Sequence, residues 1–208
     1  MKDFVTDIPT YEDMLAAHER IAPHIRRTPV RTSDYLNEVS GCELFFKCEN
    51  FQEPGAFKVR GAANAVFGLD DEQAKKGVAT HSSGNHASCL SYAAMKRGIP
   101  CNVVMPRTAP QAKKDTVRRY GGVITECDPS TTSREATFAE VQKASGGDFV
   151  HPYNDPRVIA GQGTCSKGFS RPRHRISRQK IVIWMRSCRD IAVFLVCVGF
   201  GNLRTPFS

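Results

Sequence analysis

Between residues 78 and 150 the chain alternates short apolar runs with helix-length stretches, and this alternation constrains the fold more than any other feature of the sequence. Strands are expected at Val78–Thr80, Cys101–Val104, Val123–Glu126 and Asp148–Val150, with helices at Asn85–Lys96, Gln111–Tyr120 and Ser130–Lys143. Gly98-Ile99-Pro100, Gly121-Gly122 and Gly146-Gly147 supply the turns. A helix between successive strands is the spacing of parallel βαβ units, so residues 70–155 should form a small three-layer α/β domain with a parallel sheet. Ahead of it, Tyr11–Ile25 has helical spacing with Met14, Leu15, His18 and Ile21 on one face. Glu43–Lys47 reads as a strand and Phe57–Phe67 as a helix.

Two motifs carry chemistry. The first is Gly55-Ala56-Phe57-Lys58-Val59-Arg60-Gly61-Ala62. A lysine that bonds covalently to an aldehyde needs a flat ring to approach closely, and the small residues around Lys58 keep the neighbouring backbone out of the way. Phe57 is placed to lie against such a ring. The second is Ser82-Ser83-Gly84-Asn85-His86, which follows a strand and opens a helix. Its free N–H groups and the positive end of the helix dipole face any anion lying there, and a substrate carboxylate is the natural occupant. Each motif also has a plainer reading. Lys58 taken alone is a solvated loop lysine, Ser82 and Ser83 are ordinary helix caps, Phe57 and His86 are core residues, and Arg60 is a surface partner for Glu53.

Taken together, the motifs resemble those of the fold-type II pyridoxal-phosphate enzymes, within them the serine/threonine dehydratase and serine racemase branch. The resemblance runs in order through Ile25-Arg26-Arg27-Thr28-Pro29-Val30, Leu44-Phe45-Phe46-Lys47-Cys48-Glu49-Asn50, the lysine motif, Thr80-His81-Ser82-Ser83-Gly84-Asn85-His86, Val104-Met105-Pro106, His151-Pro152-Tyr153 and Ile159-Ala160-Gly161-Gln162-Gly163-Thr164. It departs from the family pattern at Ala56, where serine is usual, and at Ala87-Ser88, where a glycine commonly follows the histidine; both exchange small for small.

The resemblance implies pyridoxal 5'-phosphate as cofactor, held by Lys58, Phe57, Gly84 and Asn85. It implies a small amino-acid substrate held by Ser82, Ser83, Asn85 and His86. Lys58 and Ser83 become the catalytic pair, working from opposite sides of the substrate. The implied reaction is removal of water and ammonia from L-serine or L-threonine to give pyruvate or 2-oxobutanoate, with serine racemisation as a branch. The resemblance further implies a homo-oligomer for the full-length family. Its domain plan places residues 1–69 in the first part of a larger cofactor-binding domain, 70–155 in the small α/β domain and 156–166 in a returning segment. The second α/β domain is thus incomplete. The family's glycine-rich phosphate loop, ring-nitrogen partner and metal carboxylates lie beyond the matched stretch, and no metal ligand is assigned.

Composition changes where the resemblance ends. Residues 1–164 hold 20 basic and 20 acidic side chains, whereas 165–208 hold nine basic residues and the single acid Asp190, so the whole +8 charge belongs to the tail. Residues 167–208 are accordingly expected to be a poorly ordered, atypical tail. Arg171, Arg173, Arg175 and Arg178 give it a charge that polyanions would attract, but without interleaved aromatics they do not form a nucleic-acid motif. Val196-Cys197-Val198-Gly199-Phe200-Gly201-Asn202 has the form of a strand entering a glycine loop, with bulky Phe200 a poor fit to a phosphate cradle. The longest apolar stretch, Ile191–Phe200, is short of the roughly 20 residues a membrane span needs. The start Met-Lys-Asp-Phe lacks an apolar signal region, and the eight cysteines show no Cys-x-x-Cys pair. A cytoplasmic location with reduced thiols is the expectation. His18, His24, His81, His151 and His174 lack partners at metal-ligand spacing and read as structural. A catalytically inactive fragment that acts only as a binding module is the competing reading.

Overall fold

The computed structural model describes residues 8–41, 43–169, 181–188 and 191–198, with residues 168–169 and the last two segments described by their backbone alone. The alternating region forms a four-stranded parallel sheet of order β5-β4-β3-β6, built from β3 (Val78–His81), β4 (Cys101–Pro106), β5 (Val123–Cys127) and β6 (Asp148–Phe149). Val78 pairs with Cys101 on one side and Asp148 on the other. The crossovers are α5 (Asn85–Arg97), α6 (Gln111–Arg119) and α7 (Thr131–Ser145). Because side chains alternate along a strand, the sheet divides its apolar residues between two faces. Val78, Val103 and Met105 join the larger core with Leu90, Ala93 and Ala94 of α5, while Ala79 and Val104 meet Phe138 of α7 on the opposite side. The expected three layers are present.

The N-terminal elements are α1 (Tyr11–Ile21), β1 (Val30–Arg31), α2 (Asp34–Ser40), β2 (Glu43–Lys47) and α3 (Lys58–Phe67), followed by α4 (Asp71–Lys76). The first helix stops four residues short of its expected end: Ala22 still bonds back to the His18 carbonyl, but Pro23 has no N–H to continue the ladder. Neither α2 nor α4 was legible from periodicity. The former buries no residue, and the latter is six residues set by a capping box between Asp70 and Gln73. Beyond the parallel sheet, α8 (Pro156–Gly163) packs on α1 and α3. The α3–α8 crossing is close: a Cβ on Gly61 would lie 2.7 Å from the Val158 carbonyl oxygen, and one on Gly161 would lie 2.6 Å from that of Arg60.

Within the segment that composition sets apart, β7 (Ile181–Cys188) and β8 (Ile191–Val198) pair as an antiparallel hairpin, and β8 pairs with β2. This gives a second sheet, β1-β2-β8-β7. The basic run from Arg171 to Lys180 and the expected glycine loop at Gly199-Phe200-Gly201 lie outside the described residues. Among the described residues no helix is long and apolar enough to cross a membrane.

Arg60 is a correction to the reading from sequence. It is buried and donates to both oxygens of fully buried Glu49, at 2.7 and 2.9 Å, and to Thr164. Glu53 is instead engaged by Arg26 and the Tyr120 hydroxyl. Thr28 also donates to Glu49. This network ties the strand segment, α3 and the end of α8 together.

Candidate active site

Lys58 is the first residue of α3, and no side chain caps that helix. Its ammonium donates to the Pro152 carbonyl at 2.8 Å and lies 5.3 Å from the ring centroid of buried Phe57. Burial pulls the ammonium below its ordinary range; the opposing influence is the Cys89 thiol, which burial itself keeps protonated. No carboxylate among the described residues stabilises the charge on this lysine. Gly55, the first residue of the motif, holds a positive φ of 92°, a backbone conformation that glycine adopts without penalty.

The serine-rich bend lies at the start of α5, which packs along α3. The Cys89 thiol, one turn into α5, reaches the Ala56 carbonyl at 3.9 Å, and the Lys58 charge acts on His86. The two motifs therefore meet at neighbouring helix N-termini. Neither serine caps α5, whose N-cap is Gly84 with no side-chain bond. By contrast α1, α2, α4, α7 and α8 are each capped by an oxygen-bearing side chain. An uncapped first turn leaves N–H donors facing outward. A Cβ on Gly84 would meet nothing within 4 Å, so open space lies over the bend. Ser83 is exposed, and Ser82 is partly covered.

Two further residues line this end of the sheet. Asn85 accepts a 2.9 Å hydrogen bond from the Lys113 ammonium, a partner that the sequence pattern did not reveal. His86 is buried and bonds through Nε2 to the Val150 carbonyl at 3.2 Å, which makes Nε2 the protonated nitrogen. Burial, with the Lys58 charge, takes its pKa down to about 3, so the ring is neutral. Its Nδ1 and the Ser88 hydroxyl are buried without a hydrogen-bond partner. Arg134 of α7 carries a buried Nε that is likewise unpartnered, and its charge acts on His81 and His151.

The arrangement fits an anionic aldehyde cofactor with an amino-acid substrate. A charge-poor environment favours the neutral amine that attacks an aldehyde, open space at Gly84 admits a ring, and the α5 first turn offers donors to a carboxylate. Phe57 and Lys58 at the start of α3, with Gly84 and Asn85 at the start of α5, are the residues that could hold such a cofactor. A phosphate cradle is not found among the described residues.

Comparison with known proteins agrees with this chemistry. The chain is 89% identical over 160 residues to a beta-hydroxyaspartate dehydratase of Paracoccus denitrificans (strain Pd 1222), a match covering 77% of this chain and 51% of that protein. It is 56% identical over 148 residues to a serine racemase of Arabidopsis thaliana, covering 71% and 45%. Among solved structures, maize serine racemase superposes with a TM-score of 0.77 at 48% identity, covering 78% of this chain and 50% of that one. The chain thus spans about half the length of the curated relatives it matches. The family described as "Pyridoxal-phosphate dependent enzyme" matches residues 21–203, past the point where the motif resemblance ends at Thr164. With a match over most of its length, the chain belongs to the pyridoxal-phosphate-dependent enzyme family.

Proposed function

We propose that this chain carries the lysine and substrate-carboxylate halves of an ammonia-lyase site for β-hydroxy amino acids, with racemisation as a side branch. The carrying observation is the side-chain-uncapped start of α5, open above Gly84, next to a lysine whose ammonium is destabilised by burial. When bound, pyridoxal phosphate supplies an electron sink that acidifies the substrate Cα–H. The α5 N–H groups with Ser82, Ser83 and Asn85 orient the substrate carboxylate, and His86 stays neutral behind them. Lys58 Nζ takes the Cα proton as a neutral base. Ser83, on the other side of the substrate, returns a proton when inversion competes with loss of the β-hydroxyl.

Serine and threonine suit a site with one carboxylate anchor. A second acidic group on the substrate is supported by the 89%-identical relative named for hydroxyaspartate. We therefore rank 3-hydroxyaspartate ahead of serine and threonine. A second reading, a non-catalytic module, draws support from the matched half-length of the relatives.

Colour separates the two. Protein supplied with pyridoxal phosphate should turn yellow and release ammonia from 3-hydroxyaspartate, and Lys58→Ala should lose both properties. A colourless protein that releases no ammonia from any of the three amino acids would establish the module reading.

A further inference from the structure

One peptide plane, Pro152–Tyr153, is held at both ends. Its carbonyl oxygen accepts from Lys58 Nζ at 2.8 Å, and its N–H donates to His151 Nδ1 at 3.3 Å. The same Nδ1 also accepts from Asn154 N–H at 2.9 Å, so the imidazole closes the turn as an acceptor, with its proton on Nε2. In a trans peptide the C=O and N–H point in opposite directions, so fixing the N–H fixes the direction of the oxygen. Donation through the N–H also polarises the amide and strengthens its oxygen as an acceptor.

The ring itself has little freedom. His81, Phe149 and Tyr153 pack around it, with centroids at 5.6, 5.5 and 4.5 Å. Its charged and titratable neighbours are Lys58 from α3, His81 from β3, His86 from α5, Arg134 from α7, and Asp155 ahead of α8. Burial first, then Arg134 and Lys58, outweigh Asp155 and keep the ring neutral, the form that can accept.

We propose that His151 is a positioning residue for Lys58: its Nδ1 orients the Pro152 carbonyl, which holds the ε-amine in its buried position. The inference rests on the reading of Lys58 as the cofactor lysine, and it assigns work to a histidine that the sequence marks only as structural.

The test uses the full chain and two substitutions. His151→Asn keeps a side-chain acceptor able to bond the N–H two residues on, whereas His151→Phe keeps a ring of similar size and removes the acceptor. Acetic anhydride labelling, read by mass spectrometry, gives the reactivity of Lys58 relative to exposed Lys75. His151→Phe should raise that ratio about fivefold, the population shift that one net hydrogen bond carries, while His151→Asn should stay within about twofold of the parent. Far-ultraviolet circular dichroism confirms that each variant is folded. The idea is overturned if His151→Phe labels like the parent, if both variants rise together, or if only His151→Asn rises. Should His151→Phe fail to fold, an unchanged ratio in His151→Asn supports the proposal and a raised one overturns it. The absorption band of added pyridoxal phosphate, measured separately, tests Lys58 as the cofactor lysine, so the two ideas can fail independently.

Discussion

Gly84 and Glu49 show how far apart functional and structural demands lie among single residues. At Gly84 the space is open and only the N-cap preference for glycine over alanine is lost, so Gly84→Ala should cost no more than about 1 kcal/mol by urea titration. The same methyl would intrude on the cofactor ring in the proposed site, and cofactor titration should show affinity reduced at least tenfold. Glu49 is the reverse. Burial opposes its ionisation, but hydrogen bonds and charge from Arg60, with help from Thr28 and Lys47, outweigh it and hold the carboxyl below its usual range. Glu49→Gln strands the Arg60 charge in the interior and should cost about 3–5 kcal/mol in the same titration. The lowered value at Lys58 gives a further expectation. Its neutral form appears at lower pH than that of an ordinary lysine, so the rate of cofactor attachment should rise with pH and level off below the usual lysine range. Stopped-flow absorbance would check the sign.

Among the elements, strand and helix positions in the parallel sheet were legible because each strand is bounded by glycine or proline turns and each crossover helix is long enough to show its period. Val123–Glu126 grew by one residue and Gln111–Tyr120 shrank by one. What the sequence hid was local or distant by nature. The helices α2 and α4 are too short for periodicity, and α8 is an eight-residue helix carrying two glycines whose partner α3 lies far away in the sequence. Both motifs of the candidate site could be read, since each is contiguous. Lys113, Arg134 and the His151 turn could not, because no local pattern announces a side chain that serves another element. At the crossing itself, Gly161→Ala would drive a methyl into the Arg60 carbonyl, and thermal unfolding should reveal a loss of about 1–3 kcal/mol.

For the whole molecule, the described histidines set the first response to acid, above the range in which carboxylates such as Glu49 protonate. His18, His24, His81, His86 and His151 all have lowered values, burial being the leading cause in each. An unfolded chain binds protons at these sites from about pH 6.5 downward, whereas the folded chain declines them, at His86 until about pH 3. Stability should therefore be full above about pH 6.5 and fall as the pH drops through that window. Urea midpoints measured across it should decline, and His86→Gln should flatten the slope.

The contact between Gly61 and Gly161 also bears on descent. Two main chains that touch leave no room for either position to drift alone, since a larger residue at one site cannot be relieved by trimming its neighbour below glycine. A lineage built on this scaffold can rewrite its substrate-facing walls freely, but both residues of this pair are bound to remain without side chains for as long as the lysine helix keeps its seat.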